Sequence, residues 1–366
     1  MQEFRLNTTV KMGFDSLTAL QAYRGKAALV VTDDFLSSTK LFDEIRFHLG
    51  GEPTVYSGVL PDPTVSVVKE GVARYLAARP DVVVAFGGGS VMDTAKAMHK
   101  AAVDNDFGAP EGIVAIPSTS GSGSEVTSFA VLTDEQTHTK IPLVSADMVA
   151  KVAILDPDAV LSLPPRITAD SGLDVLTHAL EAYVSVDASD FSDALAEKAV
   201  ELVFAHLETV FRDGSNAESR TRMHNASCMA AMAFDNCGLG ITHSLAHALG
   251  GHFHIPHGRC NAMLLPHVIE YNSRCPRAAE RYARLGHMLS PSATGRAAVT
   301  ALVARVRKLN QALEVPETVR EAGISLAEYR QLIEEMAATA AADGCTPTNP
   351  IRPSHEDLVL LLRKLG

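Results

Sequence analysis

Side chains with the types and spacing of a transition-metal site lie in the second half of the chain. Asp174 and His178 are four residues apart, so a helix places this carboxylate and imidazole on one face, one turn apart. His243 and His247 repeat that spacing, and His257 follows a loop-like segment. Three imidazoles and one carboxylate suit Fe²⁺ or Zn²⁺, and ligand chemistry alone does not separate these ions. The candidate ligands are Asp174, His178, His243 and His257.

These residues also have ordinary interpretations. A single histidine on a helix is more often a surface residue or a satisfied core residue than a ligand, and an i, i+4 pair without other context fits either. The density of histidines between positions 243 and 267 favours a metal site. The HExxH motif is absent, which removes the main support for a zincin-type protease.

Two segments of the first half could hold a dinucleotide. Gly87-Gly88-Gly89-Ser90 stands between an apolar strand and a helix predicted to begin at Ser90, where free N–H groups and the helix dipole attract pyrophosphate. The segment 117–125 follows the next strand with a cluster of small hydroxyl donors, at the edge where open α/β sheets bind ligands. The glycines lack GxGxxG spacing, so a plain tight turn remains the alternative.

Asp33 and Asp34 follow the first buried strand. An acid at this place can hold the ribose hydroxyls of an adenine nucleotide and repel a 2′-phosphate, which favours NAD over NADP. Either aspartate could equally be a helix N-cap.

The elements that would position these residues change character along the chain. Short apolar runs at 27–32, 82–86, 113–117 and 152–155 alternate with helical patterns, which predicts a doubly wound parallel α/β sheet. After Leu163-Pro164-Pro165 the strand signals nearly vanish, and helical patterns such as 193–209 and 297–313 follow. We predict an α/β dinucleotide-binding domain at 1–164 and an all-α metal-binding, catalytic domain at 165–366.

Composition excludes several classes of partner. The 366 residues carry a net charge of −11, which argues against nucleic acid and anionic membrane surfaces. No apolar run approaches the roughly 18 residues of a membrane span, and the first ten residues do not form a secretory signal. The five cysteines form no CxxC, so a reduced, cytoplasmic protein is expected.

Together these segments resemble the iron-containing (group III) alcohol dehydrogenases, and the resemblance covers almost the whole chain. In that family an N-terminal domain binds the dinucleotide and a helical C-terminal domain holds the metal in the cleft between them. The matching segments are GGGSVMDTAK at 87–96, PSTSGSGSEVT at 117–127, KVAILDP at 151–157, GLDVLTHALEAYVS at 172–185 and GITHSLAHALGGHFHIPHG at 240–258.

The resemblance implies a role for each matching residue. Asp174, His178, His243 and His257 become the metal ligands, and His247 becomes a nearby non-ligand histidine that helps to move protons. The implied NAD(H)-binding residues are Asp33, Gly88, Gly89, Ser90, Asp93, Ser118, Thr119, Ser122, Thr127 and Lys151.

Three further residues fall where related enzymes line the substrate pocket: Phe129, Phe234 and Cys345. Phe129 replaces a polar amide of relatives that handle diols, which favours an apolar substrate chain. Ordinary core packing is the alternative for both phenylalanines. Within the family, the sequence most resembles the alcohol dehydrogenases of propanediol and ethanolamine utilisation. A location inside a bacterial microcompartment is therefore an alternative to the free cytoplasm. The resemblance also implies a homodimer or larger homo-oligomer.

The expected function is therefore NAD-dependent, metal-dependent interconversion of a short-chain primary alcohol and its aldehyde by hydride transfer, working as an aldehyde reductase. Fe²⁺ is the expected metal, with Zn²⁺ as the alternative. Reduction of a polar aldehyde such as lactaldehyde or glycolaldehyde is a second reading, and a lyase of the dehydroquinate synthase type is a third. That lyase needs a cluster of cations around a phosphorylated sugar acid, whereas only Arg259 follows His257.

Overall fold

The structure is a computed structural model that describes residues 3–135 and 140–366. Its contacts divide the chain into two compact units. Among the described residues, an N-terminal unit comprises Arg5–Leu163 and Gly214–Ala231, and a helical unit comprises Pro164–Asp213, Met232–Gly366 and residues 3–4. The short segment Gly214–Ala231 is thus a part of the second half of the sequence that packs with the first half.

The strands of the N-terminal unit are β1 (Thr9–Met12), β2 (Ala28–Val31), β3 (Thr54–Tyr56), β4 (Val82–Gly87), β5 (Ile113–Pro117), β6 (Phe129–Thr133), β7 (Lys140–Val144) and β8 (Val152–Leu155). Six of them form a central sheet, in the order β1-β8-β5-β4-β2-β3 with every pairing parallel. A separate antiparallel pair, β6 and β7, was not predicted from the sequence.

The central strands read as continuous apolar runs because both faces of the sheet are covered. In β2, Leu29 and Val31 point into one hydrophobic core, whereas Ala28 and Val30 point into another on the opposite face. Helices pack on both faces, as the doubly wound prediction requires, and that prediction is confirmed.

The helices of the first half alternate with the strands, and those of the second half follow one another, so the all-α prediction for that half is confirmed. They are α1 (Lys40–Leu49), α2 (Val65–Ala78), α3 (Gly89–Val103), α4 (Pro165–Val184), α5 (Asp190–Arg212), α6 (Ala217–Cys237), α7 (Ile241–Phe253), α8 (His257–Asn272), α9 (Pro276–Leu289), α10 (Gly295–Ala312), α11 (Leu326–Ala342) and α12 (His355–Arg363).

Helix α4 is the central element of the helical unit. It begins at Pro165, where the fixed φ of proline suits the first helical position, and it is buried from Gly172 to Val184. It packs against α5 and α8, and α8 packs in turn against α7. Three helices that carry candidate ligands are therefore neighbours. Within the described residues, no helix is long and apolar enough to span a membrane.

Candidate metal centre and dinucleotide loops

One carboxylate oxygen is the point on which the candidate metal ligands converge. Asp174 Oδ1, on α4, lies 3.7 Å from His178 Nε2, 3.6 Å from His243 Nε2 and 3.4 Å from His257 Nε2. The structure thus brings all four residues together, from α4, α7 and the first residue of α8. Burial would raise the pKa of Asp174, but the three imidazoles hold that pKa below its usual range, so the carboxylate is ionised.

The imidazole rings form a compact group with one open side. The rings of His178 and His243 stack at 4.7 Å, and those of His243 and His257 lie 5.3 Å apart. The side chain of His243 is 2% exposed, whereas that of His257 is 40% exposed. A small molecule can therefore approach this group from the side of His257.

Asn261 lies close to three of the candidate ligand atoms. Its Nδ2 lies 2.8 Å from Asp174 Oδ1, 3.1 Å from His257 Nε2 and 3.3 Å from His243 Nε2. The amide nitrogen of Asn261 thus lies against the same three atoms that a cation would use. Oxygen and nitrogen donors aimed at one point, with no thiolate among them, fit Fe²⁺ or Zn²⁺.

Glu181 orients one of the candidate ligands and was not among the residues predicted from the sequence. Its carboxylate accepts hydrogen bonds from His243 Nδ1 at 2.6 Å, Thr242 N at 2.6 Å and Gly240 N at 2.9 Å. The first turn of α7 is thereby capped, and the proton of His243 is fixed on Nδ1, which leaves Nε2 to a metal. A signal existed, because Asp174, His178 and Glu181 share one face of α4.

This contact also charges His243 while no metal is bound. Burial would lower the pKa of His243, but its hydrogen bonds to Asp174 and Glu181 raise it to about 9. Binding of a metal at Nε2 therefore displaces a proton, as is usual for histidine ligands.

We predict that Glu181→Gln weakens metal binding about 10- to 100-fold, because the neutral amide no longer fixes the His243 tautomer. Competition for Zn²⁺ between the protein and a chromophoric chelator measures the affinity. Glu201→Gln is the control, since Glu201 lies on α5 and pairs only with Lys198 among the ion pairs described. An unchanged affinity in the Glu181 variant would show that this carboxylate only caps α7.

His247 lies next to the candidate ligands and makes a separate contact. Its ring stacks on His257 at 5.2 Å, and its Nδ1 lies 2.8 Å from Asp343 Oδ2. Cys345 joins this group, because its backbone N donates to Asp343 Oδ1 at 2.8 Å. The implied proton-moving histidine and one implied pocket residue are thus brought together by Asp343, which the sequence analysis did not identify.

The other implied pocket residues fall in different units. Phe234 is 8% exposed, and its ring lies 4.5 Å from that of His178 in the helical unit. Phe129 begins β6 in the N-terminal unit, where its carbonyl accepts a hydrogen bond from Lys96 Nζ.

In the N-terminal unit, the two implied cofactor loops touch each other at the carboxyl ends of β4 and β5. Ser118 N donates to Gly87 O at 2.9 Å. A Cβ on Gly88 would come within 3.3 Å of Thr119, and one on Gly89 within 3.1 Å of Ser122 Oγ, so the glycines allow this close approach. Helix α3 begins at Gly89, one residue before the prediction, and its free N–H groups start at this junction.

Asp33 lies beside this junction. Strand β2 pairs with β4 so that Val31 is opposite Ala85, and Asp33 therefore follows β2 at the level of Gly87. Its Oδ1 accepts a hydrogen bond from Leu36 N at 2.8 Å.

Asp93 and Thr127 belong to a buried network behind the loops. Asp93 accepts hydrogen bonds from Ser124 Oγ at 2.8 Å and Val131 N at 3.0 Å. Lys96, which is 2% exposed, donates to Ser124 Oγ and Thr127 Oγ1. These contacts hold the chain from Ser124 to Val131 in place, and the role of both residues in cofactor binding stays a prediction.

Lys151 requires a correction. Its N donates to Ile113 O, and its Nζ donates to Pro110 O, which places it at the amino ends of β5 and β8. In a parallel sheet this is the edge opposite to Gly88 and Ser118, so the structure does not bring Lys151 into the group of dinucleotide residues.

Glu125, at the end of the second loop, is a buried acid with a large pKa shift. It is 2% exposed, and burial raises its pKa to about 7. The unfolded chain loses this proton near pH 4.5, so the folded state is progressively destabilised as pH rises from about 4.5 to about 7.

We predict that Glu125→Gln, which is neutral at every pH, stabilises the protein relative to the wild type at pH 8 by about 3 kcal/mol more than at pH 5. Denaturant unfolding at both pH values measures the difference. Glu44→Gln on the exposed side of α1 is the control. An equal effect of Glu125→Gln at both pH values would contradict the prediction.

The chain is similar over its whole length to known dehydrogenases. Residues 7–157 match the family model of iron-containing alcohol dehydrogenase, and residues 168–366 match the C-terminal model of the Fe-containing alcohol dehydrogenase family. It is 44% identical over 356 residues to the 1-propanol dehydrogenase PduQ of Citrobacter freundii, covering 96% of each chain. It is 38% identical to an NADPH-dependent butanol dehydrogenase of Clostridium saccharobutylicum, covering 98% of this chain and 96% of that one.

A solved structure gives the same result for the fold. The crystal structure of a 1,3-propanediol oxidoreductase superimposes with a TM-score of 0.93 at 31% identity, and the match covers 100% of both chains. With sequence and fold in agreement over both halves, the chain belongs to the iron-containing alcohol dehydrogenase family and is an oxidoreductase, an alcohol dehydrogenase that works with a nicotinamide dinucleotide.

Proposed function

We propose that this protein interconverts a short-chain primary alcohol and its aldehyde with NAD(H) and one divalent metal, and that it works as an aldehyde reductase. The observation that carries the proposal is the convergence of three imidazole Nε2 atoms on Asp174 Oδ1. The similarity to a 1-propanol dehydrogenase supports a substrate of this size.

Asp174, His178, His243 and His257 would hold the metal, with Fe²⁺ as the proposed ion and Zn²⁺ as the alternative. A bound divalent metal supplies Lewis acidity towards an oxygen atom, and the nicotinamide supplies or accepts the hydride. The protein fixes the ligands beforehand, since Glu181 holds His243 and Asn261 lies against three of the donor atoms. The open side near His257 leaves room for the substrate oxygen.

The junction of the two loops in the N-terminal unit would bind the pyrophosphate. Its free N–H groups at the start of α3 and the hydroxyls of Ser90, Ser118, Thr119 and Ser122 are donors for an anion. The carboxylate of Asp33 would accept the ribose hydroxyls and repel a 2′-phosphate, which favours NAD(H). The similar butanol dehydrogenase is NADPH-dependent, so cofactor preference must be tested on this chain.

His247 would move the alcohol proton, because it is adjacent to His257 and its side chain is 37% exposed. Phe234, packed on His178, would present an apolar wall to the carbon chain of the substrate. Phe129 and Cys345 remain proposed pocket residues. We further propose a domain boundary near residue 164 and function as a cytoplasmic homo-oligomer, which the five free cysteines suit.

The test is the oxidation of NADH or NADPH at 340 nm by anaerobically purified protein loaded with Fe²⁺. Acetaldehyde, propionaldehyde, lactaldehyde and glycolaldehyde are compared, with a chelated sample as the control. We expect turnover of NADH with propionaldehyde or acetaldehyde, and loss of turnover on chelation. Faster turnover of lactaldehyde or glycolaldehyde would keep the enzyme class and overturn the apolar pocket. Full activity in metal-free protein would overturn the metal assignment.

A further inference from the structure

The strongest unassigned feature of the helical unit is the group of polar contacts around Asp343. This residue follows the C-terminus of α11 and is separated in sequence from His247 by 96 residues. Its Oδ2 accepts a hydrogen bond from His247 Nδ1 at 2.8 Å. Its Oδ1 accepts hydrogen bonds from Cys345 N at 2.8 Å and from Ser244 Oγ at 3.3 Å.

Asp343 Oδ1 is therefore held by two groups other than His247, the backbone N–H of Cys345 and the hydroxyl of Ser244. Ser244 is itself fixed, because Thr346 Oγ1 lies 2.8 Å from its Oγ, and Thr346 Oγ1 lies 2.7 Å from Ala340 O. Ser244 is fully buried, and the side chain of Asp343 is 17% exposed. Because Oδ1 is anchored in this way, the carboxylate is restrained, and Oδ2 imposes a direction on the imidazole that it contacts.

We propose that Asp343 is a positioning residue for the reaction, which fixes the proton of His247 on Nδ1 and leaves Nε2 as the atom that exchanges a proton with the substrate. The proposal rests on the proposed function of His247. A carboxylate accepts and does not donate, so the nitrogen facing it must carry the proton. Nε2 on the far side of the ring then carries the lone pair.

The proton balance is simple. In alcohol oxidation, Nε2 takes the hydroxyl proton as the hydride passes to the nicotinamide, and the proton then leaves to water. In aldehyde reduction, both transfers run in reverse.

The test uses Asp343→Asn, which keeps the shape and allows the other tautomer. We expect kcat to fall roughly 10- to 100-fold, because proton transfer by a positioned side chain contributes about that much or more. We expect the KM for NADH to change by less than about threefold, since cofactor binding is not touched. Asp357→Asn, at the N-terminus of α12, is the matched control and should leave kcat unchanged.

A double-mutant cycle separates positioning from general loss of structure. If Asp343 acts through His247, then Asp343→Asn lowers kcat in the wild type and has no further effect in His247→Ala. Equal losses in both backgrounds would overturn the proposal. Asp343→Glu should recover part of the lost kcat, because the longer side chain still offers a carboxylate.

A second measurement does not depend on activity, so it tests the role of Asp343 even if the proposed function is wrong. The ¹⁵N spectrum of histidine-labelled, zinc-loaded protein should show His247 with its proton on Nδ1 in the wild type, and a shift towards Nε2–H in Asp343→Asn. The His247→Ala spectrum assigns the signals. A wild-type Nε2–H tautomer would overturn the proposal. Binding of two zinc ions per chain, reduced to one in Asp343→Asn, would instead assign His247, Asp343 and Cys345 to a second metal and also overturn it.

Discussion

Asp174→Ala is expected to lose bound metal and turnover together, with kcat lowered by about 10³-fold or more, because Lewis-acid stabilisation is worth several kcal/mol. Asp174 Oδ1 lies within 3.7 Å of all three imidazole Nε2 atoms, and it supplies the negative charge of the donor set. Without it, three imidazoles surround a cation with no anionic partner. His243 also loses one of the two carboxylates that contact it.

Metal content by elemental analysis and NADH oxidation at 340 nm measure this effect in the same preparation. His257→Ala should behave in the same way, whereas Asp190→Ala, an exposed acid in the first turn of α5, should retain both properties. NADH binding, followed by fluorescence, should persist because the proposed dinucleotide residues belong to the other unit. A metal-free Asp174 variant that turned over at the wild-type rate would remove the basis for the metal site.

Gly258→Ala is expected to disrupt the metal centre although it adds only a methyl group. A Cβ at Gly258 would lie 1.9 Å from the backbone oxygen of Asp170 and 3.2 Å from Asp174 Cβ. The obstacle is the backbone of α4, which cannot rotate away as a side chain could. Helix α8 must therefore move away from α4, and His257, the neighbouring residue, moves with it.

Such overpacking costs about 3 kcal/mol or more, and a displacement of about 1 Å at the site lowers turnover by about 100-fold. Thermal unfolding, metal content and kcat measure the three consequences. Gly251→Ala is the matched control, because Gly251 lies within α7 and no described residue beyond the adjoining backbone of that helix comes within 4 Å of the added Cβ. Alanine there should stabilise the helix by up to about 1 kcal/mol. Equal behaviour of the two variants would show that α4 and α8 separate without cost.

Much of the fold could be predicted because its signals are local. The buried strands β2, β4, β5 and β8 are apolar runs of the correct length, and the change to helices after Pro164 is visible in the periodicity. Strands β1 (TVKM) and β3 (TVY) were missed because they are short and carry no continuous apolar run. The hairpin of β6 (FAVLT) and β7 (KIPLV) was missed although both strands contain apolar residues in succession. Segment 214–231 was assigned to the helical half, since periodicity reports helix type and not the partner against which a helix packs.

The candidate metal centre, like the fold, could be predicted from the sequence only in part. The spacing of Asp174 and His178 placed two donors on one helix face from the sequence alone, since a helix repeats every 3.6 residues. The resemblance implied that His243 and His257 join the same site. Their approach to one carboxylate oxygen depends on how α7 and α8 pack beside α4. Glu181, Asn261 and Asp343 gained their roles only through such lateral packing.

Residue type and spacing by themselves determined the class of chemistry here: imidazole and carboxylate donors for a metal, and a glycine turn with nearby hydroxyls for a dinucleotide. The tertiary structure decided which residues share a place. It put Lys151 at the sheet edge opposite to Gly88, because parallel strands carry their amino and carboxyl ends on opposite edges. It also joined His247 to Asp343 across 96 residues, a contact that no local pattern encodes because it exists only when α7 and α11 pack together.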